Sequence, residues 1–244
     1  MTGPARAGEM GDAHMHIGLI GGIGVAATVA YYQRPTAAVT RLGGRLDLTI
    51  VHADVQDLIR NNLADRREEQ AAIYLPLLDR LKAAGCNCAA ITSLGGHFCY
   101  DETRARSPLP LVSAVAPLDD FFVAQGIGRV GLLGTRVVMR TGLYGQLRRT
   151  QAVALEDEIE VLGQAYQEMA VAGHATPAWR ALFLDAGARL VRDRGAQAVV
   201  LAGTDLNLAF DGADPGYPVI DALDVHVAVL ADLATGRRGL EGLA

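Results

Sequence analysis

A short strand that runs into a glycine-rich turn and then into a helix occurs twice along this chain. Residues 17–22 (IGLIGG) have a counterpart in residues 130–135 (VGLLGT), and residues 89–93 (AAITS) have one in residues 199–203 (VVLAG). Short apolar strands that alternate with helices form parallel sheets covered on both faces. The chain is therefore predicted to fold into two similar Rossmann-like α/β domains with parallel sheets.

The repeat also predicts the domain boundaries. Residues 16–112 form the N-terminal domain and residues 113–221 the C-terminal domain, preceded by a disordered leader, residues 1–15, that has no apolar stretch. The C-terminal helix of residues 222–235 can pack on either domain. Periodicity and turn residues further predict strands at 17–20, 48–53 and 88–91 and helices at 25–41 and 68–84.

Composition and charge exclude several classes of protein. The 244 residues are 50% hydrophobic and 20% charged, which is ample for real cores. No apolar run approaches the ~20 residues of a membrane helix, and the N-terminus has no signal-peptide pattern. A net charge of −5 without a basic stripe argues against nucleic-acid binding. We expect a cytoplasmic homodimer with neither a membrane nor a nucleic acid as partner.

The sequence predicts no metal and no cofactor. Cys86 and Cys88 are expected on one side of a strand as buried structural thiols, without further ligands at metal spacing. Residues 22–27 fit a loose dinucleotide pattern, but the acidic ribose partner expected about 20 residues later is missing. These glycines indicate tight turns in which the backbone approaches a ligand. Lys82 is the only lysine and lies in a predicted helix, away from the turns.

Four strand-to-helix turns should meet in space, because ligands bind at the carboxyl ends of parallel strands. Helix N-termini at such turns favour an anion. We therefore predict a site for a small carboxylate between the two domains. Its lining is expected to include Gly22, Ser93, Thr135 and Thr204.

The residues at two of these turns allow acid–base chemistry. Ser93 and Gly203 hold equivalent positions in the two halves, and Asp205 is either a base or the cap of its own turn, of which the capping role is favoured. Ser93, His97 and Asp101 are spaced so that a helix would place them on one face. A Ser–His–Asp triad is conceivable, but one helix face rarely supplies its geometry, and a capping role for His97 is favoured.

The motifs at these turns resemble those of the aspartate/glutamate racemase superfamily, in particular its broad-specificity amino-acid racemase branch. Residues 18–28 (GLIGGIGVAAT) resemble the family's opening GG-M-G-P-x-A-T. Residues 92–97 (TSLGGH) resemble the first catalytic turn, Cys-Asn-Thr-x-His, and residues 201–205 (LAGTD) resemble the second, G-C-T-E. The remaining motifs follow in order, at residues 132–135, Thr141, Tyr144, Asp221 and His226.

In that family two thiols, or a threonine and a thiol, remove and return the α-proton without a cofactor. The resemblance implies a cofactor-independent isomerase that acts next to the carboxylate of a small amino acid or dicarboxylate. Ser93 and Gly203 stand at the two thiol positions, so ordinary two-thiol racemisation is not expected. The implied catalytic residues are Ser93, Asp205 and His97, and the implied substrate-binding residues are Gly22, Thr92, Leu94, Gly95, Thr135, Gly203 and Thr204.

Three functions stay open at this point. The chain is an isomerase with a non-standard catalytic pair, or a lyase, decarboxylase or cyclase of a specialised biosynthetic pathway, or a non-catalytic homologue that binds small molecules. If it is an enzyme, Ser93→Ala should slow turnover. The double variant Ser93→Cys, Gly203→Cys should then restore some amino-acid racemisation.

Overall fold

The first half of the chain forms one parallel sheet and its covering helices. A computed structural model describes residues 15–22 and 24–241, so the predicted leader lies outside the described residues except for Met15. The elements of this half are β1 (His16–Gly21), α1 (Val25–Arg41), β2 (Asp47–His52), α2 (Val55–Leu63), α3 (Arg67–Ala83), β3 (Cys88–Ile91), a 3-10 turn (Gly95–Cys99), α4 (Tyr100–Arg104) and β4 (Leu111–Val112).

The second half repeats this plan. Its elements are α5 (Leu118–Ala124), β5 (Arg129–Gly134), α6 (Arg136–Thr141), β6 (Gln151–Val153), a 3-10 turn (Glu156–Glu158), α7 (Ile159–Ala172), α8 (Pro177–Arg194), β7 (Ala198–Ala202), a 3-10 turn (Thr204–Leu206), α9 (Asn207–Phe210), β8 (Val219–Asp221) and α10 (Ala222–Ala234).

The two sheets have the same topology. Their strand orders are β2-β1-β3-β4 and β6-β5-β7-β8, and every pair of neighbouring strands is parallel. The prediction of two similar α/β domains with parallel sheets is confirmed. The limits of the five strands and helices predicted in the first half fall within one residue of the observed ones, whereas α2, α4 and β4 were not predicted.

Two glycines of the repeated strand motif have the same packing role in the two halves. A Cβ on Gly18 would lie 2.8 Å from Leu81 Cδ1, and a Cβ on Gly131 would lie 2.8 Å from Leu190 Cβ. Gly18 and Gly131 thus let α3 and α8 approach the centres of their sheets. The repeat that is visible in the sequence therefore has a steric cause, since a larger residue would push the covering helix away.

The last helix, α10, joins the two halves. Leu223, Val227 and Leu230 pack with β1 and α1 of the first half, whereas Ala222 and Val225 belong to the core of the second half. The domain boundaries stay predictions. Among the described residues, no helix is both long enough and apolar enough to cross a membrane.

The three cysteines are buried and free, as predicted for structural thiols. The expectation that Cys86 and Cys88 share one side of a strand is wrong. Cys86 packs in the cluster under α3, and Cys88 packs in the cluster under α1 and α10. The reason is that β3 begins at Cys88, so strand alternation does not extend to Cys86.

Candidate active site

A cavity lies between the two halves, at the carboxyl ends of β3 and β5. Its volume is about 60 Å³, which gives room for roughly four to six water-sized groups. We call it the interdomain cavity. Its lining residues are Val55, Leu58, Ile59, Asn62, Leu63, Ser93, Gly95, Thr135, Arg136, Gly163, Tyr166, Gln167, Ala170 and Asp205.

The cavity has an apolar wall and a polar wall. The mostly apolar wall is the inner face of α2, which contributes four aliphatic side chains, Val55, Leu58, Ile59 and Leu63, and one amide, Asn62, which donates to the carbonyl of Gly95 at 3.1 Å. Asp54 begins this helix as its N-cap and accepts hydrogen bonds from the backbone N–H groups of residues 56 and 57. The polar wall comes from the turns after β3, β5 and β7 and from α7. A small ligand with one apolar side and one charged side fits this division.

Ser93 of the first half and Thr135 of the second half both line the cavity. Ser93 lies two residues after the end of β3 and is 5% exposed, and its Oγ accepts a hydrogen bond of 3.2 Å from the backbone N–H of Gly96. A Cβ on Gly95 would lie 2.9 Å from Thr135 Cγ2 and 3.5 Å from Ser93 Oγ. The absence of a side chain at Gly95 therefore keeps open the space beside both hydroxyl-bearing residues.

Asp205 is the buried acid of the cavity and is 2% exposed. The favoured expectation that it caps its own turn is wrong, because its Oδ1 instead accepts the backbone N–H of Ala27, in the first turn of α1, at 3.0 Å. Gly24 makes room for it, since a Cβ there would lie 2.2 Å from Asp205 Oδ2. Burial raises the pKa of Asp205 to about 6, against the lowering effect of its bonds to Ala27 and Tyr166.

Tyr166, in the middle of α7, was not predicted to belong to the site. Its ring fills the space beside Gly203, where a Cβ would lie 2.4 Å from Tyr166 Cε2. Its hydroxyl donates a hydrogen bond of 3.2 Å to Asp205 Oδ2. Burial, followed by the charge of Asp205, raises the pKa of Tyr166 well above its usual value, so the phenol stays protonated.

Arg136 is the only cationic residue in the lining that the structure describes. It follows β5 at the start of α6, and its stem packs over Gly163 of α7, where a Cβ would lie 2.3 Å from Arg136 Cγ. Its guanidinium donates to Glu160 at 3.1 Å, to Gln167 at 3.2 Å and to Gln164 at 2.6 Å. A guanidinium has five N–H donors, so these three bonds leave two for a ligand.

His97, predicted as a catalytic residue, does not line the cavity. Its Nε2 accepts the backbone N–H of Ala114 at 3.0 Å, so Nδ1 carries the proton and donates to the carbonyl of Ser93 at 2.7 Å. Burial lowers the pKa of His97 to about 4. Asp101 is exposed and makes no bond to this ring. The Ser–His–Asp triad is therefore not formed, and His97 fixes the backbone of the Ser93 turn.

Five predicted substrate-binding residues also lie outside the lining. Gly22 has a φ of +94° and donates its backbone N–H to Thr28 Oγ1, so its glycine serves a turn and not a ligand. Leu94 is fully buried in the core of the second half. Thr204 Oγ1 donates to the carbonyl of Thr92 across the two halves at 3.3 Å. Gly203 faces the Tyr166 ring.

The structure thus brings Ser93, Gly95, Thr135 and Asp205 to one cavity and places the other predicted residues outside its lining, in turns, hydrogen bonds and the core. Sequence reasoning missed Arg136, although the turn after β5 that contains it had been singled out. Tyr166 and Gln167 lie in the middle of a helix and only meet the cavity through tertiary packing. No local pattern marks them.

The fold has counterparts among solved structures. A candidate Asp/Glu racemase from Yersinia pestis superposes with a TM-score of 0.74 at 24% identity, covering 90% of this chain and 99% of that chain. An aspartate racemase homologue from Pyrococcus horikoshii gives 0.72 at 22%, covering 90% and 99%. An aspartate racemase from Picrophilus torridus gives 0.71 at 17%, covering 90% and 94%. At these identities the likeness is one of fold.

The sequence itself carries the family assignment. A profile of the Asp/Glu/hydantoin racemase family matches residues 20–230, which span both halves and the cavity between them. The matched region includes all four strand-to-helix turns and most of α10. The chain therefore belongs to the Asp/Glu/hydantoin racemase family.

Proposed function

We propose that this protein is a cofactor-independent enzyme of the isomerase type that moves a proton at the carbon next to the carboxylate of a small acid. The observation that supports this most directly is the interdomain cavity, where Ser93 of the first half meets Arg136 and Asp205 of the second. A cation to hold a carboxylate and a buried acid to move a proton are the two groups that such a reaction needs.

Arg136 is proposed to bind the substrate carboxylate. Its two remaining N–H donors can form charge-assisted bonds to the carboxylate oxygens. The bonds to Glu160, Gln164 and Gln167 hold the guanidinium in place, so little side-chain entropy is lost when the ligand binds. The small volume of the cavity, about 60 Å³, restricts the substrate to a few heavy atoms beyond that carboxylate.

Asp205 is proposed to accept the proton. In this step the C–H bond next to the carboxylate breaks, its electron pair moves into the carboxylate as an enolate, and the proton goes to Asp205. A pKa of about 6 leaves the acid ionised at neutral pH and makes it a stronger base than an exposed aspartate. A base tuned towards the operating pH is the expected arrangement for general acid–base catalysis.

Ser93 is proposed to act as a donor and not as a base. Among the described residues, its hydroxyl oxygen accepts the Gly96 N–H, and no carboxylate or imidazole accepts its proton. The hydroxyl hydrogen is thus available to the negative charge that develops on the substrate. Such preorganised donors stabilise an enolate in a buried site, where the dielectric is low.

Deuterium exchange tests the proposal. Small carboxylic acids, each as a single enantiomer, are incubated with the enzyme in D₂O, and the α-carbon is followed by NMR together with optical rotation and released CO₂. Enzyme-dependent deuterium incorporation supports proton transfer, and loss of optical rotation identifies racemisation. Release of CO₂ would favour the decarboxylase alternative. Binding of these acids without exchange or turnover would contradict the proposal and favour a non-catalytic binding protein.

A further inference from the structure

Position 203 has no side chain, and the space beside it is already filled. Gly203 has a φ of −140°, which any residue adopts, so its backbone does not require glycine. A Cβ at this position would lie 2.4 Å from Tyr166 Cε2 and 2.8 Å from Tyr166 Cζ. The atoms that crowd position 203 are therefore the hydroxyl-bearing end of the Tyr166 ring.

Tyr166 combines three properties at this place. It lines the interdomain cavity, it is only 6% exposed, and its hydroxyl donates to Asp205 Oδ2 at 3.2 Å. Asp205 is in turn fixed by the backbone N–H of Ala27, so the hydroxyl and the carboxylate form a pair with a defined geometry. A buried phenol that contacts both a cavity and a buried acid can pass a proton between them.

We propose that Tyr166 replaces the side chain that position 203 lacks and returns the proton from Asp205 to the substrate carbon. This proposal rests on the proposed function. In the return step the Tyr166 O–H bond breaks and a C–H bond forms with the electron pair of the enolate. The proton that Asp205 took from the substrate then passes to the phenolate, which restores the phenol and the aspartate carboxylate. No other reactant is needed, and the site returns to its starting state.

The energetics of this step favour a phenol over a serine hydroxyl. Burial keeps Tyr166 protonated before the reaction, so the proton is present when the enolate forms. A phenol is a stronger acid than an aliphatic hydroxyl by several pKa units, and an enolate carbon is a much stronger base than a phenolate. Proton return from Tyr166 is therefore downhill, and the neutral Asp205 beside it regenerates the donor.

The test is the variant Tyr166→Phe, which keeps the ring beside Gly203 and removes only the hydroxyl. We expect kcat for deuterium incorporation to fall at least about a hundredfold, the typical contribution of a positioned acid or base, with KM changed less than about threefold. The acid limb of the pH profile should also move to higher pH, because the Tyr166 hydroxyl bond lowers the pKa of Asp205. A ring that only fills space would leave kcat unchanged, whereas the shift of the acid limb reports the hydrogen bond to Asp205 alone and accompanies either role.

Tyr217→Phe is the matched control, because Tyr217 lies in the same half and its hydroxyl donates to the carbonyl of Leu184 at 2.8 Å. The Tyr217→Phe variant should incorporate deuterium into the substrate as fast as the unmodified enzyme. If Tyr166→Phe also exchanges at the unmodified rate while Asp205→Asn does not, Tyr166 only fills space and the inference is overturned, although the proposed function stands. If the unmodified enzyme itself shows no exchange, both fail together.

Discussion

At the scale of single residues, the lack of a side chain at Gly203 and the position of the Tyr166 ring depend on each other. The glycine gives the ring its place, and the ring leaves no room for a thiol. The expectation that Ser93→Cys with Gly203→Cys restores racemisation therefore needs a correction. Overpacking a buried position by a side chain costs typically about 1–3 kcal/mol and displaces its neighbours, so the new thiol would not point into the cavity.

We predict that the triple variant Ser93→Cys, Gly203→Cys, Tyr166→Ala racemises a small amino acid measurably, whereas the double variant with Tyr166 intact does not. Removal of the ring frees the space beside position 203, and a thiol is a far better proton acceptor than a hydroxyl at neutral pH. Circular dichroism of the substrate follows the reaction. Equal activity in the double and triple variants would show that the ring does not block the second thiol position.

Ser93→Ala should reduce the rate of deuterium incorporation about a hundredfold, the low end of the loss expected when one donor to a developing negative charge is removed. Its stability should fall by only about 1 kcal/mol, because Ser93 Oγ accepts one turn hydrogen bond, from Gly96.

Ser113→Ala is the control for this variant. Ser113 is also a buried serine, and its Oγ accepts the N–H groups of Val115 and Ala116 at 3.1 Å, away from the cavity. The Ser113→Ala variant should lose a similar free energy of unfolding and keep the rate of deuterium incorporation of the unmodified enzyme. A Ser93→Ala enzyme with full activity would leave Ser93 without a role in the reaction.

At the scale of elements, the proposed function gives α2 the role of selecting what the substrate carries beyond its carboxylate. Four of its five side chains in the lining are aliphatic, the fifth is the amide of Asn62, and Arg136 is the only cation in the described lining. A second carboxylate would lie against α2 without a cationic partner, and burying an unpaired charge costs several kcal/mol. The dicarboxylate alternative for the substrate is therefore less favourable than a small acid with an apolar substituent.

We predict that kcat/KM for a small aliphatic amino or hydroxy acid exceeds that for aspartate or glutamate at least about tenfold, a difference of ~1.4 kcal/mol. Ile59→Arg, which adds a cation to the apolar wall, should shift this ratio towards the dicarboxylates. Val123→Arg, on an exposed position of α5, should not. A preference for dicarboxylates in the unmodified enzyme would contradict the role given to α2.

The sequence predicted elements better than it predicted the site. Buried strands such as 88–91, and the glycine at 85 that follows α3 with a φ of +88°, are properties of local sequence. The bond from Asp205 to the start of α1 joins residues 178 positions apart, and the place of Tyr166 depends on how α7 packs against the second sheet. Contacts of this kind follow from packing between elements, which no local pattern reports.

At the scale of the whole molecule, the two halves are held together near the end of the second sheet. Arg34 of α1 donates to Asp221 at 2.5 Å and to Asp224 at 2.9 Å. Asp221 also caps α10 through the N–H of Leu223. Burial raises the pKa of Asp221 to about 6, and Arg34 opposes that rise. The first half thus stabilises the charge of a carboxylate at the point where β8 passes into α10.

Arg34→Ala should lower the free energy of unfolding by about 2 kcal/mol at pH 7.5, less than for a fully buried pair because Arg34 keeps 23% of its side chain exposed. Without Arg34 the pKa of Asp221 rises further. The variant therefore loses unfolding free energy only at pH values where Asp221 is ionised in the unmodified protein. The difference in free energy of unfolding between the unmodified protein and Arg34→Ala, which we call the deficit, should therefore shrink as pH falls to 5, where Asp221 is protonated in both proteins.

Urea unfolding at the two pH values measures this deficit, and Arg192→Ala, which removes an exposed pair with Asp193, is the control and should leave the midpoint unchanged. A deficit that is equal at pH 5 and pH 7.5 would mean that the Arg34 contact to Asp221 does not hold the halves together through charge.

Asp205, held between the two halves, is the residue proposed to move the proton. The most direct test is the pH dependence of deuterium incorporation in the unmodified enzyme and in Asp205→Asn, whose amide oxygen can still accept the Ala27 N–H and keep the fold. Because the carboxylate is the active form and its pKa is about 6, kcat/KM should rise with pH through about 6 and then level off. Asp205→Asn should incorporate deuterium at least about a hundredfold more slowly. Its kcat/KM should also no longer rise with pH through about 6. An Asp205→Asn enzyme with the unmodified rate and pH profile would contradict the account.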